Sequence, residues 1–309
     1  MATLYKADNE ALTQQQMLDL CDATNIQVSA AEVKQVEEAT RGQSSSKIWH
    51  EQRHGRITAS VGSECLRTNV HSPAPSLLKR ICGRRVAQIK VPPIVWGNEH
   101  EEDAFRLFSR VLGEVGPHPK TAPTGTTFLV DQDVTSHDKL EVGKSGFVIC
   151  EERPHLGASP DGIASCGCCG KGVLEIKCPY KHRLVPLSSA LADREFCLDT
   201  ARRLKKNHAY YAQIQMEMYV CGVQHGFFVV WTPIDCAIIR IARDQDFIHK
   251  MIQTLDVLWK TAVLPELLTR KIENTAQPSA STSAQPSPLS STSPSKTILY
   301  CLCKTSTNL

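Results

Sequence analysis

No apolar run in this 309-residue sequence is long enough to cross a bilayer as a helix; the longest lies around Gly226 to Trp231. That excludes a membrane-spanning helix and leaves no membrane partner to expect. Excess charge is also missing, with 35 Lys+Arg against 32 Asp+Glu and a formal net charge of +3. Bulk charge therefore drives no association with nucleic acid, and any basic surface must be local. The polar start, MATLYKADNEALTQQQ, has no secretory character, and 13 cysteines is an odd number. A reduced intracellular protein, nuclear or cytoplasmic, is expected rather than a disulfide scaffold. No internal repeat is visible. From Asn274 to Lys296 large apolar residues are almost absent, so this stretch cannot bury enough surface to fold. The remainder, in a chain that is 41% apolar, can build one large core or two small ones.

What is present centres on residues 157–179, GASPDGIASCGCCGKGVLEIKCP. Val173 to Cys178 follows a Gly-rich turn, is β-branched and apolar apart from two charges, and stops at Pro179, which reads as a strand. Alternation puts Glu175 and Lys177 on one face and Leu174, Ile176 and Cys178 on the other. A carboxylate and an ammonium on such a strand carry a desolvation cost. Asp161, after Ser159 and Pro160 at a turn upstream, can return beside them. Two carboxylates and a lysine suit Mg²⁺, a hard cation that prefers oxygen ligands. The bland alternative is a buried Glu–Lys pair with a purely structural role.

Residues 1–46 read as a helical extension, with a capping box at Ser29 and Glu32. Trp49 to Ser60 then gathers Arg53, Arg56, two histidines and hydroxyls, a set able to hold phosphate oxygens. On its own this segment reads more readily as a solvated joint. Trp96 to about Leu112 is a helix with an acidic start, from which one carboxylate could join a metal site. Helices are expected from about Ser189 to Leu204 and from Ala209 to Val220, and strands over His225 to Trp231 and Ala237 to Ala242. Asp244 caps a last helix. The order suits an α/β (α+β) architecture, a mixed central sheet flanked by helices.

In order, the motifs are WxxxRxxRITAS, WGxxxE, SPDG, LEIKCP and, on a helix, YxAQxQ. Over about residues 47–260 this series resembles the YqaJ-type viral recombinase family, the phage lambda exonuclease relatives within the PD-(D/E)xK nuclease superfamily. The resemblance implies a restriction-endonuclease-like nuclease domain, placed here at residues 47–270, with a disordered tail over 271–309. It implies a Mg²⁺-dependent deoxyribonuclease acting on linear duplex ends, a 5′-to-3′ exonuclease of recombination or repair, with Mn²⁺ as substitute. Asp161 and Glu175, with the carbonyl oxygen of Ile176, would bind metal in a two-metal site. Lys177 would act on the attacking water, Glu101 would lie near the metals and Gln213 beside the lysine. Arg53, Ser60 and Ser159 would hold a terminal 5′ phosphate. A ring-shaped trimer and a single-strand annealing partner are further implications. The alternatives are a non-catalytic DNA-binding or recruitment module, or an endonuclease or junction resolvase on the same fold.

Cys166, Cys168 and Cys169 depart from the phage pattern. With Cys150, Cys178 or His155 as a fourth ligand they form a candidate structural Zn²⁺ set. Their C-x-C-C spacing lacks paired C-x-x-C knuckles, and reduced cysteines in a tight turn are the preferred reading.

Overall fold

The structure, a computed structural model, describes residues 1, 4–83, 91–113, 127–130, 137 and 140–274. These lie within one compact unit, Met1–Ala276. The helices are α1 (Gln14–Ala23), α2 (Ala30–Ala39), α3 (Lys47–Arg53), α4 (Ala59–Arg67), α5 (Pro75–Cys82), α6 (Pro92–Gly113), α7 (Leu187–Ala190), α8 (Ala209–Val220), α9 (Gln245–Leu258), α10 (Leu264–Thr269) and α11 (Lys271–Asn274). The strands are β1 (Ile57–Thr58), β2 (Thr127–Val130), β3 (Glu141–Lys144), β4 (Val148–Ile149), β5 (Leu156–Ala158), β6 (Gly162–Cys166), β7 (Gly170–Lys177), β8 (His225–Trp231) and β9 (Asp235–Ala242). Apart from α11, the expected disordered tail lies outside the described residues. No described helix is long and apolar enough to cross a membrane.

Six strands form a mixed sheet in the order β2-β9-β8-β7-β6-β3, and three form a smaller one, β1-β5-β4. The pairs β3/β6, β6/β7 and β8/β9 are antiparallel, while β7/β8 and β2/β9 are parallel. The parallel β7/β8 pair requires a crossover, and α8 lies within it. The expected mixed central sheet flanked by helices is present.

Central strand β7 is buried on both faces, and its side chains alternate as its period of two requires. Val173 packs into a core with Ile214 and Met218 of α8. Leu174 and Ile176 pack into another with Ala104 and Phe108 of α6. Glu175 and Lys177 share the face of Val173, toward α8. A third core joins α4, α5, α9 and α10 to the smaller sheet and takes Met216 and Val220 from α8. Helix α8 is thus nearly enveloped, with Gln215 and Glu217 both at 0% exposure. It starts where Tyr210 N donates to the His208 ring and ends before Gly222 at φ +67°, a left-handed position natural to glycine.

The Ser29–Glu32 capping box is present at the start of α2. That helix docks on the chain before β4. Gly146 N donates to Glu37 Oε1 at 3.0 Å and Phe147 N to Thr40 Oγ1 at 2.7 Å. The approach is so close that a Cβ on Gly146 would lie 1.9 Å from the Glu37 carbonyl oxygen. The N-terminal segment also reaches the core, through buried Cys21 and the Asn9 bond to the Leu268 carbonyl oxygen.

Two expectations change. The helix expected over residues 189–204 is only the short α7. After α7 the chain loops, closed by the Leu198↔Leu204 bridge and by Lys205 Nζ, which donates to the Arg194 and Phe196 carbonyl oxygens. Phe196, Cys197, Leu198 and Leu204 are nevertheless buried, so the apolar residues were real core but not helical in spacing. Helix α6 begins at Pro92, ahead of Trp96, because proline is well suited to a first helical turn.

Candidate active site

Three elements converge on the end of β7. Asp161 sits just ahead of β6, and its N–H donates to the Leu174 carbonyl oxygen at 2.9 Å. Its Oδ2 accepts from Ile176 N at 2.6 Å, which fixes the carboxylate against β7. Glu175, 2% exposed, is paired with Lys177. Gln213 of α8 donates to Glu175 Oε1 at 2.5 Å and to Glu217 Oε1 at 3.0 Å. From α6, Glu101 interacts electrostatically with both Glu175 and Lys177 while lying 3.9 Å from Lys144. Its neighbours Glu99 and Glu102 are exposed.

The electrostatics are those of crowded acids. Burial first, then the charges of Glu175 and Glu101, pushes Asp161 well above the usual carboxylate range. Burial and Glu175 do the same to Glu217, and burial raises Glu101. For Lys177, burial alone would favour the neutral amine, but Glu175 and Asp161 outweigh it and hold the ammonium above its ordinary range. Two carboxylate oxygens, Glu175 Oε2 and Glu217 Oε2, are buried without a hydrogen-bond partner. Such a set of hard oxygen donors fits a divalent cation, which would satisfy the orphaned oxygens and relieve the repulsion.

Glu217 was not singled out from the sequence. Its signal was there: it lies four residues after Gln213 on α8, a full charge on a helix otherwise lined by Ile214, Met216 and Met218.

The segment α3–β1–α4 builds a second feature. Arg53 donates to Ser60 Oγ at 3.0 Å and to Thr58 Oγ1 at 3.2 Å, and its guanidinium stacks 4.1 Å from the Trp49 ring. Trp49 Nε1 in turn donates to Ser159 Oγ at 2.9 Å. Trp49, Arg53, Thr58 and Ser60, with Arg56 and Arg80, line a cavity of about 360 Å³, which Ser159 meets only through Trp49. Arg56 is spent on the carbonyl oxygens of Pro154 and Gln52. Among the described residues neither Arg53 nor Arg56 is paired with a carboxylate, and burial lowers each to about 10, so both remain cations at neutral pH. Of the three residues expected to hold phosphate, Arg53 and Ser60 touch directly and Ser159 joins them through Trp49. Ser159, the hydrogen-bond partner of the cavity-lining Trp49, lies two residues before Asp161, a span of at most about 7 Å. Gln43 Nε2 pins the intervening Pro160 carbonyl oxygen at 2.9 Å.

Residues 48–224, more than half of the sequence, match the model of the YqaJ-like viral recombinase domain. The chain belongs to that family. The YqaJ-like match runs from α3 to just beyond α8, and so contains Arg53, Ser60, Glu101, Ser159, Asp161, Glu175, Lys177, Gln213 and Glu217. The chain is also similar to the alkaline nuclease of Autographa californica nuclear polyhedrosis virus, 25% identical over 240 residues, covering 72% of this chain and 50% of the relative. It is 27% identical over 246 residues to the alkaline nuclease of Orgyia pseudotsugata multicapsid polyhedrosis virus, covering 72% and 49%. The chain thus spans about half the length of these curated relatives. Among solved structures it matches the alkaline exonuclease LHK-Exo of Laribacter hongkongensis at 22% identity and a TM-score of 0.47, covering 75% of this chain and 100% of that one.

The expected fourth partners of the cysteine turn lie elsewhere. Cys150 is in the core of the smaller sheet. The Cys178 thiol is pushed up to about 12 by burial and by the charges of Glu101 and Asp161, on the active-site side. His155 is 2.8 Å from Asp256 and stacks on Trp259.

Proposed function

We propose that this chain is a divalent-metal-dependent deoxyribonuclease that removes nucleotides from the 5′ ends of linear duplex DNA, in recombination or repair. The observation that carries the reading is a link between two features. A cluster of buried acids around one lysine is linked, through Ser159 and the Trp49 ring, to a cavity lined by Arg53 and Arg56, neither paired with a carboxylate among the described residues, while the third lining arginine, Arg80, pairs with Glu64. Catalysis on a phosphodiester needs a cation site, and selection of a strand end needs an anion pocket. Family membership and the names of the viral relatives support hydrolysis of nucleic acid.

In this reading Asp161, Glu175 and the carbonyl oxygen of Ile176 would hold Mg²⁺ or Mn²⁺, and Glu101 and Glu217 would serve a second ion. The metal, when bound, supplies Lewis acidity and lowers the pKa of a coordinated water. Lys177 is a donor rather than a base, because its acidic neighbours keep it protonated. It orients the attacking water and stabilises the charge that builds on the phosphoryl oxygens. Gln213 fixes the rotamer of Glu175 and so positions Lys177 indirectly. Arg53, Ser60 and Ser159 receive the terminal phosphate, which places the adjoining phosphodiester at the carboxylates. The 3′ single strand left behind suits an annealing protein.

The test is digestion of end-labelled linear duplexes carrying either a 5′ phosphate or a 5′ hydroxyl, alongside a closed circle, in Mg²⁺ and in EDTA. The proposal expects Mg²⁺-dependent mononucleotide release from 5′-phosphorylated ends and an intact circle. Cleavage of the circle would make the chain an endonuclease. Binding without release in Mg²⁺ or Mn²⁺ would make it a recruitment module.

A further inference from the structure

Cys166 closes β6 and pairs across the hairpin with Gly170, the first residue of β7. The turn between them carries Cys168 and Cys169. His137, remote in sequence, completes a group whose four donor atoms all lie within 4.8 Å of one another. His137 Nδ1 lies 3.4 Å from Cys166 Sγ, 3.4 Å from Cys168 Sγ and 3.7 Å from Cys169 Sγ, and Cys166 Sγ lies 3.4 Å from Cys168 Sγ. We propose that His137, Cys166, Cys168 and Cys169 bind one structural Zn²⁺ that locks the β6–β7 hairpin to the chain ahead of β3.

The distances have a simple meaning. With Zn–S near 2.3 Å and Zn–N near 2.05 Å, a tetrahedron has edges of about 3.5–3.8 Å. The observed separations are close to such edges, and the group is the size of one ion rather than of an iron–sulfur cluster. Three thiols and an imidazole nitrogen are also the donor set that favours zinc over hard cations. Without a metal, the inward ring nitrogen would face only weak S–H donors. His137 and Cys166 are buried, so water cannot compensate freely, and His137 Nε2 has no hydrogen-bond partner. Cys169 N donates to Cys166 Sγ at 3.2 Å, the amide-to-sulfur contact that stabilises a thiolate ligand. Binding releases three thiol protons to solvent and leaves the site with a single negative charge.

This site is separate from the carboxylates. Gly170 and Glu175 stand five residues apart on β7, roughly 16 Å at the rise of an extended strand. One hairpin thus carries a soft site at its turn and hard oxygen donors at its open end. Securing the turn holds Asp161, just before β6, in register with Glu175. The proposal does not depend on nuclease activity.

The experiment measures zinc in the full-length purified protein by plasma mass spectrometry and records the visible spectrum after reconstitution with Co²⁺. One zinc per chain is expected, retained in an Asp161→Asn/Glu175→Gln variant. Zinc should be lost in a Cys168→Ser/Cys169→Ser variant, whose two exposed positions tolerate serine in the fold. His137→Ala should lose it and His137→Cys should restore it. Cobalt should give thiolate charge-transfer absorption and a tetrahedral ligand-field spectrum. Zinc that follows the carboxylates instead, full zinc content in the double serine variant, or a native mass two hydrogens short from a Cys166–Cys168 disulfide would each overturn the proposal.

Discussion

A single amide of Gln213 holds two buried acids together, donating to Glu175 Oε1 at 2.5 Å and to Glu217 Oε1 at 3.0 Å. The second oxygen of each acid is buried and unpaired. A neutral side chain thus brings two carboxylates into one site while leaving both free to accept a cation. Glu217→Gln removes one of those charges. Metal-free protein should become more stable, because folding no longer has to bury that charge or take up a proton to cancel it, while the Mg²⁺ concentration for half-maximal activity should rise about 10- to 100-fold. Thermal melts in EDTA and a Mg²⁺ titration of nucleotide release check both halves.

Stability should depend on pH in a metal-sensitive way. Burial and then neighbouring carboxylates raise Asp161 and Glu217 in the folded chain. The folded state therefore keeps protons that the unfolded state has lost above its ordinary carboxylate value of about 4. More protons on the folded side means that stability falls as pH rises from there through the raised values. Melting temperatures in EDTA should decline across that window, Mg²⁺ should flatten the decline, and Asp161→Asn should flatten it without metal.

Arg53 offers its charge to hydroxyls, a tryptophan face and a cavity, with no carboxylate partner among the described residues. Loss of a charge-assisted hydrogen bond costs about 1.5–3 kcal/mol, so Arg53→Ala should reduce the preference for 5′-phosphorylated over 5′-hydroxyl ends roughly 10- to 100-fold. Comparing kcat/KM on the two substrates measures the ratio. Lysine at this position should restore part of it, as a point charge without the guanidinium fork.

The N-terminal segment is tied down through Thr40, 0% exposed, whose hydroxyl accepts from Phe147 N and donates to the Val36 carbonyl oxygen. Thr40→Val leaves a buried N–H unpaired and should destabilise the fold by about 1–3 kcal/mol, read as a shift in a urea denaturation midpoint. Activity per folded molecule should be unchanged.

What the sequence disclosed obeyed local rules. Glu175 and Lys177 share a face of β7 because a strand alternates, and Ser29 caps α2 because the box is complete within four residues. Helix α8 was expected over the residues it occupies, Ala209–Val220. What stayed hidden was set by tertiary packing. Glu217 lies on α8, but nothing local shows that this helix is enveloped. His137 comes 29 residues before Cys166, and no spacing rule links them. Residues 189–204 supply core side chains from loops, so apolar content misled where periodicity was weak.

The most direct test of the account is Mg²⁺-dependent nucleotide release from a linear 5′-phosphorylated duplex by the native chain and by Lys177→Ala, both shown to be folded and to bind the duplex. Lys177 supplies the only ammonium paired with Glu175 among the described residues, and removing a preorganised donor of this kind should cost on the order of 10²–10³ in rate. Release by the native chain that collapses in the variant, with binding retained, is the predicted result. Equal release by both, or none by either, would contradict the assignment of this site as the catalytic centre.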